Sequence, residues 1–448
     1  MPSKQQATND VLACAALGKH FEKLPLESLV TAARTFPVTS RVDLQSALES
    51  IFGKQYAAEL IGVHAQYSHE TLTVAQLTNG GNYPVLVGPL QHDEVDVGEA
   101  LPARCLKQGL WLAKHEGLHF AVLVTPAVRF GHDEGIHVEI AIPPGEAGLK
   151  LSRAFLDEIE KLINQTASYR GKVISLETSR SFTGKAGSVR VHKLRSVRRE
   201  DVILPEKTIK LLERNVREFI QQREQLRGLG MALKKGLLFY GPPGTGKTLT
   251  IQYLASQLPD HTTLLITAEQ VGLIEDYFVL ARFLQPAMVV IEDVDLIARA
   301  REDMRSPCEE SLLNKLLNEM DGLREDAAIL FVLTTNRPGQ LEVALASRPG
   351  RVDQAIEFPL PDEEGRRKLV HLYSHGLKVP DDVVELIVRK TKQASAAFIK
   401  ELMRRCAQYF LQADEGSEVK IEHVEAALDE MLFAGGSLNV KLLGGAAE

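Results

Sequence analysis

Residues 236–248 run Gly236-Leu237-Leu238-Phe239-Tyr240-Gly241-Pro242-Pro243-Gly244-Thr245-Gly246-Lys247-Thr248. The stretch opens on an apolar run of strand length and continues as a GxxxxGK[ST] phosphate-binding loop with every required position filled. Glycine at 241, 244 and 246 lets consecutive backbone N–H groups turn toward phosphate oxygens, an approach that side chains would obstruct. Lys247 is placed to reach the β- and γ-phosphates, and Thr248 to set its hydroxyl on Mg²⁺. A helix expected over 249–257 turns its positive end toward the same anions. Strand, loop and helix in succession predict a nucleoside triphosphate ligand, with residues 241–249, Leu249 included, as its candidate contacts.

Further apolar runs at 263–267, 287–291, 328–333 and 354–358 are separated by helical patterns. Buried continuous strands alternating with helices predict a parallel α/β sheet, here an αβα sandwich. Pro205 opens a helix expected over 205–226, since proline suits a first turn. Beyond Pro359-Leu360-Pro361 the texture turns helical to 432, which predicts a small helical lid, and the glycine pairs of 433–448 predict a flexible tail. Residues 1–168 predict an α+β domain for client recognition. In it, helices are expected at 26–35, 42–52 and 151–163, and strands at 119–124 and 136–142; it carries no catalytic motif. The expected organisation is thus 1–168, a basic connection at 169–200, an α/β nucleotide domain at 201–360, and the lid at 361–432.

Composition excludes little and localises much. The 448 residues are 44 % apolar and 25 % charged, with a net charge of −7, so any basic binding surface must be local. Residues 170–199 hold nine Lys or Arg against the single acid Glu177. Such a run reads either as a nucleic-acid surface or as a solvated strand face, and only Tyr169 and Phe182 offer stacking groups. No apolar stretch is long enough to span a bilayer, and the polar first residues lack a signal-peptide core, so the expected compartment is the cytoplasm, without membrane insertion. Cys14, Cys105, Cys308 and Cys406 are too scattered for a cysteine metal site.

The strand at 287–291 runs into Glu292-Asp293-Val294-Asp295. Carboxylates at the end of a buried parallel strand beside a phosphate loop stand where metal and water are managed. Together with Leu316-Leu317-Asn318-Glu319-Met320-Asp321-Gly322, Thr334-Thr335-Asn336 and Ser347-Arg348-Pro349-Gly350-Arg351-Val352-Asp353, the set resembles an AAA ATPase from about residue 200 to 432.

That resemblance implies Mg²⁺-dependent ATP hydrolysis in a homo-oligomeric ring, usually a hexamer, acting on a macromolecular client, with protein the favoured class. It implies that Asn336 senses the γ-phosphate and that Arg348 and Arg351 are arginine fingers for the neighbouring subunit's nucleotide. The family's acid pair normally runs Asp-Glu; here it is reversed. By position Glu292 serves the metal through water and Asp293 is the general base. The Glu-Asp-Val-Asp order and Val202-Ile203-Leu204-Pro205 are similar to the branch of the mitochondrial translocase of the Rieske iron–sulfur protein. Ile203 and Leu204 are candidates for the adenine contact, as are Ala396 and Ala397 in Ser395-Ala396-Ala397-Phe398-Ile399. Where threading members carry an aromatic pore residue, this chain has Gln270-Val271-Gly272; Tyr277 and Phe278 read as a buried helix face. Two alternatives stay open: a nucleic-acid remodeller or loader using the basic segment, and a slow nucleotide-gated assembly switch.

Overall fold

A computed structural model describes residues 12–22, 24–66, 69–81, 83–129, 132–178, 186–295, 310–339, 351–413 and 417–434. The chain divides into two compact units, 1–192 and 193–448.

In the first unit an antiparallel sheet is built from β1 (Val30–Phe36), β2 (Ala57–His64), β3 (Leu86–Gly88), β4 (Gln91–Val95), β5 (Ala103–His115), β6 (Leu118–Arg129) and β7 (His132–Ile142). The order is β1-β7-β6-β5-β2-β3, with β4 also on β5. Period-two alternation covers both faces. Leu110, Leu112, Ala121 and Leu123 pack with Ala13, Leu17 and Phe21 of α1 (Ala13–Phe21). Trp111, from the opposite pleat, stacks at 4.3 Å on Phe52 of α2 (Arg41–Lys54), while Phe120 lies 6.1 Å from Phe155 of α3 (Glu146–Thr166).

The helix expected at 26–35 is a correction. Only Leu26–Ser28 makes a single helical turn, and the rest is β1, in register with β7 from Val30↔Ile142 to Phe36↔Ile136. Val30, Thr31 and Thr35 are β-branched, and the long ladder outweighs the helix preference of the two alanines between them. The helices expected at 42–52 and 151–163 and the strands at 119–124 and 136–142 are present. Part of the basic segment forms the hairpin of β8 (Val173–Thr178) and β9 (Ala186–Val191), where Arg190 pairs with Glu177 at 2.5 Å. Arg180 and Lys185 lie outside the described residues.

Within the second unit, β10 (Lys235–Tyr240), β11 (Thr262–Ile266), β12 (Ala287–Ile291), β13 (Ile329–Thr335) and β14 (Gln354–Glu357) pair in parallel in the order β14-β10-β13-β12-β11. Every residue of β12 and β13 is buried, as a two-sided sheet requires. The helix expected at 205–226 is interrupted: α4 (Glu206–Leu212) passes into a wider turn, Glu213–Glu218, and breaks at Gln222 before Arg223–Gly228. Asn215 Nδ2 donates to the Leu211 carbonyl at 2.8 Å, and a side chain entering the backbone ladder opens a helix in this way.

Helices α5 (Lys247–Gln257), α6 (Ile274–Phe283) and α7 (Glu310–Asp321) accompany the sheet, and Tyr277 and Phe278 of α6 are fully buried. Residues 363–429 form α8 (Glu363–Tyr373), α9 (Asp381–Lys390), α10 (Ala396–Gln412) and α11 (Ile421–Asp429) around a separate apolar core that includes Val370, Ile387, Leu402 and Val424. Gln270-Val271-Gly272 fall in a short helical turn, Ala268–Leu273. Among the described residues, no helix is long and apolar enough to cross a membrane.

Candidate active site

The loop that follows β10 uses its glycines for conformation and for contact. Gly241, Gly244 and Gly246 have φ of 148°, 75° and 99°, values that L side chains rarely adopt. A Cβ on Gly241 would lie 2.2 Å from the Phe358 carbonyl oxygen. One on Gly244 would lie 2.8 Å from Ser395 Oγ and 2.9 Å from Ala397 Cβ. The Gly244 carbonyl also accepts from the Ala397 N–H at 3.1 Å. The start of α10 therefore seats directly on the loop, held in turn by Ser395 Oγ accepting from the Phe398 N–H. Thr245 braces the bend by donating to the Pro242 carbonyl at 2.9 Å, whereas Pro242 and Pro243 face solvent.

Lys247 opens α5 and is 8 % exposed. Its Nζ donates to the carbonyls of Gly241 (2.8 Å) and Pro242 (3.0 Å) and to Asn336 Oδ1 (2.8 Å). Burial lowers its pKa below the usual lysine value, and the nearby carboxylates of Asp293 and Asp295 work against that shift.

The acids occupy the turn after β12. Thr248 Oγ1 donates to Glu292 Oε1 at 2.8 Å, so hydroxyl and carboxylate oxygens meet at one point. Asn336 Nδ2 donates to Asp293 Oδ1 at 3.0 Å, and a continuous polar line runs from Lys247 through Asn336 to Asp293. Asp293 has φ of 50°, unusual for a non-glycine residue, and its N–H donates to Thr334 Oγ1 at 3.0 Å.

Asp295, 3 % exposed, accepts from Thr335 Oγ1 at 2.9 Å and from the Asn336 N–H at 3.2 Å, which pins the Asn336 backbone. Thr334 and Asp295 both lie in motif stretches of the sequence, 334–336 and 292–295, but the sequence assigns neither a role of its own. The signal for Asp295 is the third carboxylate of Glu292-Asp293-Val294-Asp295; for Thr334 it is only membership of the Thr334-Thr335-Asn336 stretch, because a threonine in a strand is by itself ordinary.

Arg351 is 8 % exposed and turned into its own chain. Its Nε donates to Asp321 Oδ1 at 2.9 Å and its Nη2 to Asp321 Oδ2, while Nη1 is buried without a hydrogen-bond partner among the described residues. Asp321 ends α7, within the stretch already noted at 316–322. Gly236 makes this approach possible, since a Cβ there would stand 1.9 Å from the Arg351 carbonyl oxygen. Arg348 lies outside the described residues.

A cleft of about 560 Å³ opens beside the loop, with Ile203, Leu204, Thr245 and Ala396 among its lining residues. Ala397 meets the loop rather than the cleft, and Leu249 packs against the apolar cluster of Val197, Val202 and Ile209.

The donor set suits the groups that such a loop would hold. The first N–H groups of α5 have no partner inside the helix, and Lys247 stands beside them, which fits phosphate oxygens. Thr248 hydroxyl and Glu292 carboxylate are hard oxygen donors, which fit Mg²⁺. The cleft offers apolar Ile203, Leu204 and Ala396 to a planar base.

Comparison with known proteins agrees with this geometry. Residues 237–360 match the family "ATPase family associated with various cellular activities (AAA)". The chain is 32 % identical over 240 residues to a proteasome-activating nucleotidase of Methanothermobacter thermautotrophicus, covering 49 % of this chain and 58 % of the relative. It is 33 % identical over 217 residues to the 26S proteasome regulatory subunit 6A of Schizosaccharomyces pombe, covering 46 % and 48 %. With the ATP-dependent zinc metalloprotease FtsH of Cutibacterium acnes the identity is 32 % over 208 residues, covering 43 % and 28 %. The chain thus spans about half the length of the first two relatives. Loop, acid pair and asparagine stand together within the matched stretch: the chain carries an AAA domain, and its relatives over that domain are AAA ATPases.

Proposed function

We propose that this chain hydrolyses ATP with Mg²⁺ in a homo-oligomeric ring and uses the cycle to remodel or translocate a protein client. The observation that carries this reading is the polar line Lys247–Asn336–Asp293 beside the Thr248–Glu292 pair, at the C-terminal ends of three neighbouring strands. Lys247 exchanges its internal acceptors for β- and γ-phosphate oxygens, and its buried ammonium offsets charge that no water can screen. Thr248 and Glu292 would hold Mg²⁺, which would supply charge to the phosphoryl oxygens. Asp293 takes the proton of the attacking water, which the Asn336 amide orients. Ile203, Leu204 and Ala396 enclose the base.

Two relatives are named for activating or regulating proteasomes and one for zinc-dependent proteolysis, which supports a protein client. Asp293→Asn is the test. Its amide oxygen can still accept from Asn336 Nδ2 but cannot take a proton from water, so the variant should bind ATP, release no phosphate and retain clients in a pull-down. Wild-type phosphate release by Asp293→Asn would overturn the assignment of the base, and an inactive wild-type ring would overturn the ATPase reading itself.

A further inference from the structure

Asp293 poses a geometric problem that its neighbours solve. An aspartate reaches one methylene less far than a glutamate, and its backbone sits at φ of 50°, a region sparsely occupied by side-chain-bearing residues. Such a conformation persists only where surrounding contacts over-determine it. One contact on the backbone here is the Thr334 hydroxyl, which accepts from the Asp293 N–H at 3.0 Å. Thr334 is 3 % exposed and sits in the all-buried β13, in register with Phe239 of β10. A β-branched side chain in a packed strand has little χ1 freedom, so this acceptor is stiff. A second contact lies at the other end of the residue, where Asp293 Oδ1 accepts from Asn336 Nδ2 at 3.0 Å.

We propose that Thr334 is a positioning residue for the reaction, whose hydroxyl holds the Asp293 backbone in its left-handed turn and so aims the short carboxylate at Asn336 and the attacking water. The turn supplies the reach that the missing methylene does not. Without the acceptor, the Asp293 N–H loses its partner, the backbone relaxes toward negative φ, and the carboxylate swings off Asn336. Thr334 acts through Asp293 and touches no substrate, so this inference rests on the reading of Asp293 as the base.

The test compares the full-length chain with Thr334→Val, Thr334→Ser and Asp293→Asn, measuring kcat for phosphate release, nucleotide affinity with a fluorescent ADP analogue, and melting temperature. Thr334→Val keeps the shape and removes the acceptor; it should lower kcat about tenfold with nucleotide affinity unchanged. Thr334→Ser restores the acceptor and should stay within about twofold of wild type. Should the valine variant fail to fold, Thr334→Ala carries the same expectation. Wild-type kcat in Thr334→Val or Thr334→Ala, with Asp293→Asn inactive, overturns the positioning role and leaves the base intact. Equal loss of kcat and nucleotide affinity, unrescued by serine, also overturns it, because that is the pattern of a merely structural residue. Wild-type kcat in Asp293→Asn overturns the base reading instead.

Discussion

Replacing Arg351 by alanine separates two roles that its position allows. In the chain itself its guanidinium is buried and forks onto Asp321 through Nε and Nη2. The Asp321 side chain is 51 % exposed, so once Arg351 is gone water can solvate it again. The substitution also removes a buried Nη1 that has no hydrogen-bond partner among the described residues. Loss of the pair should therefore cost about 1 kcal/mol of stability, well below the 3–5 kcal/mol of a fully buried pair. For a unit of this size that is a fall in Tm of roughly 2–4 °C. Turnover should respond on another scale. An arginine that reaches a neighbour's phosphoryl group contributes about 10³-fold or more to kcat, and such an arginine must first let go of Asp321. Phosphate release, nucleotide affinity and melting should accordingly part company: turnover falls by orders of magnitude, affinity holds, and Tm moves little. Mixing Arg351→Ala with Lys247→Ala subunits should restore part of the activity, since each supplies what the other lacks at a shared interface. Full turnover in Arg351→Ala refutes the in-trans role. Equal losses in Arg351→Ala and Asp321→Ala, without recovery on mixing, refute it as well and leave an internal strut.

Gly244→Ala should lower both stability and nucleotide affinity. Its φ of 75° costs alanine about 1–2 kcal/mol, and the new methyl meets Ser395 and Ala397 at 2.8 and 2.9 Å. Adding Ala397→Gly should recover the Ala397 part of the contact share and leave the Ser395 part; melting and nucleotide titration of Gly244→Ala indistinguishable from wild type would contradict the seating of α10 on the loop. His261 gives a pH prediction. Burial, then the Arg223 charge, lowers its pKa from 6.5 to about 4, so the folded chain keeps it neutral where the unfolded chain protonates it. Stability from this group is complete above pH 6.5 and is lost as pH falls from there toward about 4, by an amount on the order of 3 kcal/mol. His261→Gln should flatten that slope in denaturant melts, and an unchanged slope would assign acid lability elsewhere. Asp293→Asn should hold ATP without releasing phosphate, as checked by filter binding beside a phosphate assay.

Local pattern was enough wherever it agreed with the final structure. The run at 236–240 reads as strand and the loop after it as a phosphate-binding pattern, because the glycines that break one element are required by the next. The apolar runs of β12 and β13 announced a two-sided sheet, and the acids beyond Ile291 marked where β12 leaves it. Where pattern was weak, tertiary pairing decided. Residues 26–35 look helical alone, yet only Leu26–Ser28 keeps a helical turn and Val30–Phe36 become β1, because seven residues of β7 stand opposite the seven of that strand. The wide turn at Glu213–Glu218 holds an Asn215 side chain turned back into its own helix, a contact that the helical pattern of 205–226 does not announce. Side-chain direction in the site was hidden for the same reason. Motif spacing lists Lys247, Asn336, Asp293 and Arg351, but only the folded chain joins the first three into one hydrogen-bonded line and turns the fourth onto Asp321. It also brings Thr334, unremarkable in a strand, beneath a backbone at positive φ. Spacing along a chain records which groups are present; their aim is set by strands that are neighbours in space and distant in sequence.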